Sequence, residues 1–168
     1  MWRHRGPANS SPSKLQPPVA YYLRAFCTSD DIPALRVVFD WAAGQGVQLE
    51  APAADLDAQR WEQAEVIYKP DRQPFIAERN TGDLLREEVE EFAEFLEEAD
   101  NSPEKQAVLD HLERSKAVVA AQLLGDIDDD GYNAVGAFLT YYVERCGGLI
   151  QADGEGFYEG ERLIVELD

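Results

Sequence analysis

Five apolar side chains, Leu85, Val89, Phe92, Leu96 and Ala99, recur at steps of four, three, four and three within residues 81–100, TGDLLREEVEEFAEFLEEAD. That spacing puts them on one stripe of an α-helix, and the stripe has to be covered by another layer of structure. The other positions carry Glu87, Glu88, Glu90, Glu91, Glu94, Glu97 and Glu98, with Arg86 the only base in the window. Like charges at helical neighbour spacing cost about 0.2–0.5 kcal/mol per pair, so burial of the stripe must offset the repulsion. The helix can pack without burying any of the seven glutamates. Its outward residues Glu87, Glu91, Glu94 and Glu98 are therefore the candidates for contact with a partner.

The acidic helix lies between two segments with the same order of signals. Residues 19–27, VAYYLRAFC, favour a strand, and the acid-rich residues 28–31 end it with possible caps for the helix that follows. Ile32, Leu35, Val38, Phe39 and Ala42 form an apolar face closed by Gly44 and Gly46, and residues 47–50 suit a short strand. Residues 64–69 and 74–80 predict a hairpin around Pro70, reached by a surface connection that Trp61 anchors. A second connecting helix opens at Ser102-Pro103-Glu104 and runs to about Ser115. Residues 117–124, AVVAAQLL, read as a strand buried on both faces and central in its sheet. Tyr132, Val135, Leu139, Tyr142 and Cys146 then mark a helix ended by Gly147-Gly148, followed by strands at 149–152 and 162–167 with glycine turns between.

An offset of 102 matches Gly46 to Gly148 and aligns the helices before them. The expectation is an α+β fold with mainly antiparallel sheet covered by helices: two strand-helix-strand halves, 19–80 and 117–168, joined by the helices of residues 81–115. Each half is expected to be ferredoxin-like, with pseudo-twofold symmetry between them and the helices on one sheet face. Residues 1–18 read as a flexible tail and 19–168 as one domain.

Charge narrows the partners. Arg3, Arg5 and Lys14 stand in residues 1–18 with no acid, so the other 150 residues hold 12 bases against 33 acids, a net of -21. Such a field repels nucleic acid and anionic membrane surfaces and attracts basic protein surfaces. Two cysteines, Cys27 and Cys146, outside any CxxC pattern, fit a reducing cytoplasm better than a disulfide scaffold. No apolar run reaches the length of a membrane span, and the prolines of residues 1–18 interrupt any signal-peptide core.

Two acidic constellations could carry chemistry. Residues 126–131, Asp126-Ile127-Asp128-Asp129-Asp130-Gly131, match the opening of an EF-hand-type loop, which makes Asp126, Asp128 and Asp130 candidate ligands for weakly bound calcium or magnesium. The twelfth position, where such a loop needs its bidentate glutamate, is Ala137, and acidic caps at a helix N-terminus explain the same residues. Glu87-Glu88-Val89-Glu90-Glu91 resembles the EExxE half of the motif in the all-α nucleotide pyrophosphohydrolases of the MazG type. That resemblance implies magnesium held between two helices and water attacking a nucleoside triphosphate. Its second half, ExxD, fits only Glu97 to Asp100 on the same helix, where the two motifs cannot face each other across a metal. Nucleophilic catalysis has little to draw on: His4 lies in the tail, and His111 sits among apolar helical neighbours.

The sequence thus reads as a small acidic cytoplasmic protein that binds a protein partner, a basic one, without a cofactor. The alternative is a metal-dependent hydrolase of a phosphorylated small molecule that uses both carboxylate clusters.

Overall fold

The computed structural model describes residues 21–125 and 127–167, and the structural statements below concern these. The tail of residues 1–18, the start of the first expected strand at Val19 and Ala20, and Asp126 lie outside them. Seven strands form one sheet: β1 Tyr21–Cys27, β2 Gln63–Val66, β3 Phe75–Asn80, β4 Ala117–Leu123, β5 Gly148–Ala152, β6 Gly156–Glu159 and β7 Arg162–Glu166. Four helices accompany them: α1 Leu35–Gly44, α2 Gly82–Glu97, α3 Pro103–Arg114 and α4 Asp129–Arg145. The sheet order is β2-β3-β4-β1-β5-β6-β7, and every pairing is antiparallel. The chain is therefore α+β with an antiparallel sheet.

Helices cover both sheet faces rather than one. Leu23, Ala25 and Cys27 of β1, with Val119 and Ala121 of β4, face the core shared with α1 and α4. The alternate residues Phe26 and Val118, with Phe157, face α2 and α3. This follows from strand alternation: β4, an interior strand next to the middle strand β1, carries apolar residues at successive positions, so each of its faces needs its own cover. The unbroken run in residues 117–123 thus marks a three-layer arrangement.

β1 and β3 run parallel to each other with β4 between them, while β4 and β5 run parallel with β1 between them. The units β1-α1-β3 and β4-α4-β5 straddle one another reciprocally. A strand-by-strand repeat does not follow from this order. Residues 47–50, which the offset of 102 matches to β5, contribute only the bridge from Glu50 to Ile67. The strand next to β4 is instead the later β3, whereas β5 joins β1 immediately after its helix.

Local chemistry explains the element ends. α1 is preceded by Ala34, with no side-chain cap from the expected acids. Trp61 anchors this corner, buried with its indole N–H donating to the Pro33 carbonyl at 3.0 Å. α3 begins as its sequence signals, Ser102 accepting from the Lys105 N–H at 3.0 Å with Pro103 in the first turn. α4 starts earlier than expected, at Asp129, because Asp128 is its cap and accepts from the Gly131 N–H at 2.9 Å. Gly147, at φ 65°, ends α4 in the left-handed conformation that glycine adopts most cheaply. The glycine turns after β5 enclose β6, a strand too short to read from its sequence.

Candidate functional site: the acidic helix and the Arg24 cleft

α2 seats its stripe as expected. Leu85, Phe92 and Leu96 are buried against Phe26, Val118 and Phe157, and Val89 and Ala99 pack partly against the same cluster. Full burial of a large apolar side chain contributes about 1.5–3 kcal/mol, so three of them outweigh the few repulsive carboxylate pairs along the helix. Glu87, Glu91, Glu94 and Glu98 are exposed. Glu88 corrects the expectation that every glutamate avoids the interior. It is half-buried, with one oxygen 3.1 Å from Arg24 Nε and the other accepting from Asn80 Nδ2 at 3.2 Å.

Arg24 is the centre of this network. It projects from β1 toward the α2 side of the sheet, with its side chain only 14% exposed. Its Nη1 donates to Asp153 Oδ1 and to Gln151 Oε1, both at 2.7 Å. The guanidinium carbon lies 4.9 Å from the centre of the Tyr22 ring and 5.1 Å from that of Phe92. Gln151 is buried and also donates to Asp153 Oδ1 at 3.2 Å, while Asp153 Oδ2 accepts from the Tyr22 N–H at 3.1 Å. A buried cation requires paired carboxylates and further hydrogen bonds to recover its desolvation, and Arg24 has both.

Above this network lies a cleft of about 370 Å³ whose lining includes Tyr22, Arg24, Glu91, Phe92, Phe95 and Asp153. Phe95 is 47% exposed, and its other side helps to line a smaller groove with Glu98, Ala99, Glu166 and Leu167. An aromatic ring thus stands in water between two carboxylates of its own helix. A larger hollow, about 610 Å³, opens beside the start of α2, where Arg60 and Arg79 stand with Glu62, Glu78 and Thr81.

No family model, curated protein or solved structure matches the chain. The site is therefore read from its own chemistry.

The second acidic constellation sits elsewhere. Asp128 caps α4 and contacts Lys69 Nζ at 3.4 Å and Arg72 Nε at 3.2 Å, and Asp130 pairs with Lys69. The Asp128 carboxyl is held below its ordinary value, first by the Gly131 N–H and then by the nearby Lys69. Gly131 lies inside α4 rather than at a positive-φ turn, and the Ile127 side chain and Tyr68 hydroxyl leave no space for a Cβ there. Its smallness thus serves packing. Among the described residues no three His, Cys, Asp or Glu side chains gather as a metal set. Glu87 to Glu91 belong to a helix on one sheet face and Asp128 to Asp130 to a helix on the other, so the two acidic sets do not converge.

His111 Nε2 lies 2.7 Å from the Phe26 carbonyl oxygen, a contact that requires Nε2 to carry the proton. Burial pushes its pKa down. Cys27 and Cys146 are free and buried, and burial raises both thiols, Cys146 to about 11. These thiols are poor nucleophiles.

Sequence reasoning missed the partners of Arg24. The signal was present in part: Arg24 is the only charged residue in residues 19–27, and a lone base in an otherwise apolar strand calls for acids from elsewhere. The Tyr21 and Tyr158 hydroxyls, which both donate to Glu155, had no such signal. The Tyr158 phenol is pushed up to about 12 by burial and by Glu155.

Proposed function

We propose that the protein binds a basic protein partner through the outer face of α2. The observation that carries this reading is the exposed Phe95 set among Glu91, Glu94 and Glu98 on a helix whose packing is complete without them. An exposed aromatic ring supplies contact area, and the carboxylates around it supply attraction and orientation for a cationic surface. The net charge of -18 adds a long-range field of the same sign, which disfavours nucleic acid and anionic membranes as partners. No helix among the described residues is long and apolar enough to cross a membrane. The free, buried cysteines suit a reducing compartment, and we place the protein in the cytoplasm on that ground.

The test compares the wild type with the variant E87Q/E91Q/E94Q/E98Q, using a lysine-rich peptide as probe and stopped-flow association at two salt concentrations. The variant is expected to fold as well as the wild type or slightly better, to associate more slowly, and to show a smaller salt dependence. Equal rates and equal salt slopes would leave the face as a solubilising surface only.

A further inference from the structure

We propose that the Arg24 cleft is a specificity pocket for a peptide segment of the basic partner. It takes one uncharged apolar side chain, Arg24 donates to the main-chain carbonyl of that residue, and bases two positions away on either side meet Glu91 and Glu98. The inference rests on reading α2 as a docking face and names the peptide that this face selects.

The floor of the cleft has a donor to spare. Arg24 Nε is bonded to Glu88 and Nη1 to Gln151 and Asp153, which leaves Nη2 without a hydrogen-bond partner among the described residues. The sealed side-chain atoms that lack a partner there are the Tyr68 and Tyr142 hydroxyls. Nη2 is not one of them, so it is open to the cleft that Arg24 lines.

Charge decides what this donor can take. The single positive charge of Arg24 is already met by Glu88 and Asp153, and Glu91 stands on the cleft wall, so a carboxylate or phosphate would enter against excess negative charge. A cation fares no better at the floor, because Arg24 itself occupies the Tyr22 and Phe92 rings. An uncharged acceptor fits, and every peptide residue carries one in its carbonyl. Tyr22, Phe92, Phe95 and Leu167 offer apolar contact around it. At about 370 Å³ the cleft lies near the lower end of the range of about 300–1,000 Å³ for ligand pockets, which suits a single side chain. The combination of an apolar pocket with an unused donor singles out this part of the surface, where acid content alone does not.

The rim sets the spacing. Phe95 and Leu167 line both the cleft and the groove beyond it, where Glu98 stands, while Glu91 lines the cleft. Along the helix axis Glu91 lies about 6 Å before Phe95 and Glu98 about 4.5 Å after it. An extended peptide brings alternate residues to one side about 6.6 Å apart, so bases two positions before and after the apolar residue come to the two glutamates.

The test titrates the full chain with three peptides and follows its amide and guanidinium NMR signals. The first is acetyl-Gly-Lys-Ser-Leu-Ser-Lys-Gly-amide, the second has serine in place of leucine, and the third has aspartate in place of both lysines. The leucine peptide is expected to bind about tenfold more tightly than the serine peptide of identical charge, and to shift the Arg24 guanidinium and the amides of Asp153, Gly154 and Leu167. The aspartate peptide is expected not to bind. F95S alters an exposed ring, so it should fold normally, lose most of the preference for leucine and keep its affinity for the serine peptide. Equal affinities for the leucine and serine peptides would overturn the pocket and leave the charged face of α2 standing, whereas binding of neither would overturn both. A leucine preference unchanged by F95S, an Arg24 guanidinium that does not move, or tight binding of the aspartate peptide would also overturn the proposal.

Discussion

Arg24 binds three parts of the chain that are far apart in sequence: β1, α2 through Glu88, and the end of β5 through Gln151 and Asp153. Removing one member of a buried ion-pair network leaves its partners uncompensated, which typically costs more than the intact network contributes. R24M is therefore expected to lower the unfolding free energy by about 3 kcal/mol in urea titration. A change under about 0.5 kcal/mol would show that water reaches these carboxylates freely. His111 offers a pH-dependent contribution. Because burial depresses its folded pKa, the unfolded chain takes up the proton more readily. Its contribution is complete above the ordinary histidine value of about 6.5 and is lost as the pH falls toward the depressed folded value. H111Q keeps an amide donor for the Phe26 carbonyl without a titrating ring. Its stability should fall less steeply than that of the wild type as the pH drops below 6.5, as measured by urea unfolding across that range. Parallel slopes would place His111 in water.

At the scale of elements, α2 and α4 show how similar acid runs reach different ends. The glutamates of α2 alternate with a buried stripe and mostly face solvent, whereas Asp128, Asp129 and Asp130 stand at or just inside the start of α4, where carboxylates meet the positive end of the helix dipole. The β2-β3 hairpin then delivers Lys69 and Arg72 to Asp128 and Asp130, occupying carboxylates that a calcium loop would need. Calorimetric titration with calcium is expected to show millimolar affinity or none, since the loop also lacks a glutamate at Ala137. Micromolar binding would mean that Lys69 and Arg72 release these carboxylates. The two helices were legible because their apolar positions repeat at helical spacing. The pairing of Lys69 with Asp130, 61 positions away, had no local signature and depends on where the hairpin comes to rest.

For the molecule as a whole, a net charge of -18 on 168 residues makes self-repulsion a standing burden on the folded state. Raising salt from about 10 mM to about 150 mM shortens the screening length from about 30 Å to about 8 Å. The thermal midpoint is expected to rise over that range in scanning calorimetry. A fall would show that attractive networks such as the one at Arg24 outweigh the repulsion. The sequence alone determined the elements whose periodicity is local: the stripe of α2, the Ser102 cap of α3, the apolar run of β4 and the glycine end of α4. It determined too that the chain is α+β and that most α2 carboxylates stay in water, because hydrophobic spacing and charge are properties of neighbouring residues. Only the tertiary structure decided that helices lie on both sheet faces, that β3 rather than residues 47–50 pairs with β4, and that Glu88 turns inward to Arg24. Each of these depends on contacts between segments tens of residues apart, whose partners are chosen by the packing of the whole chain.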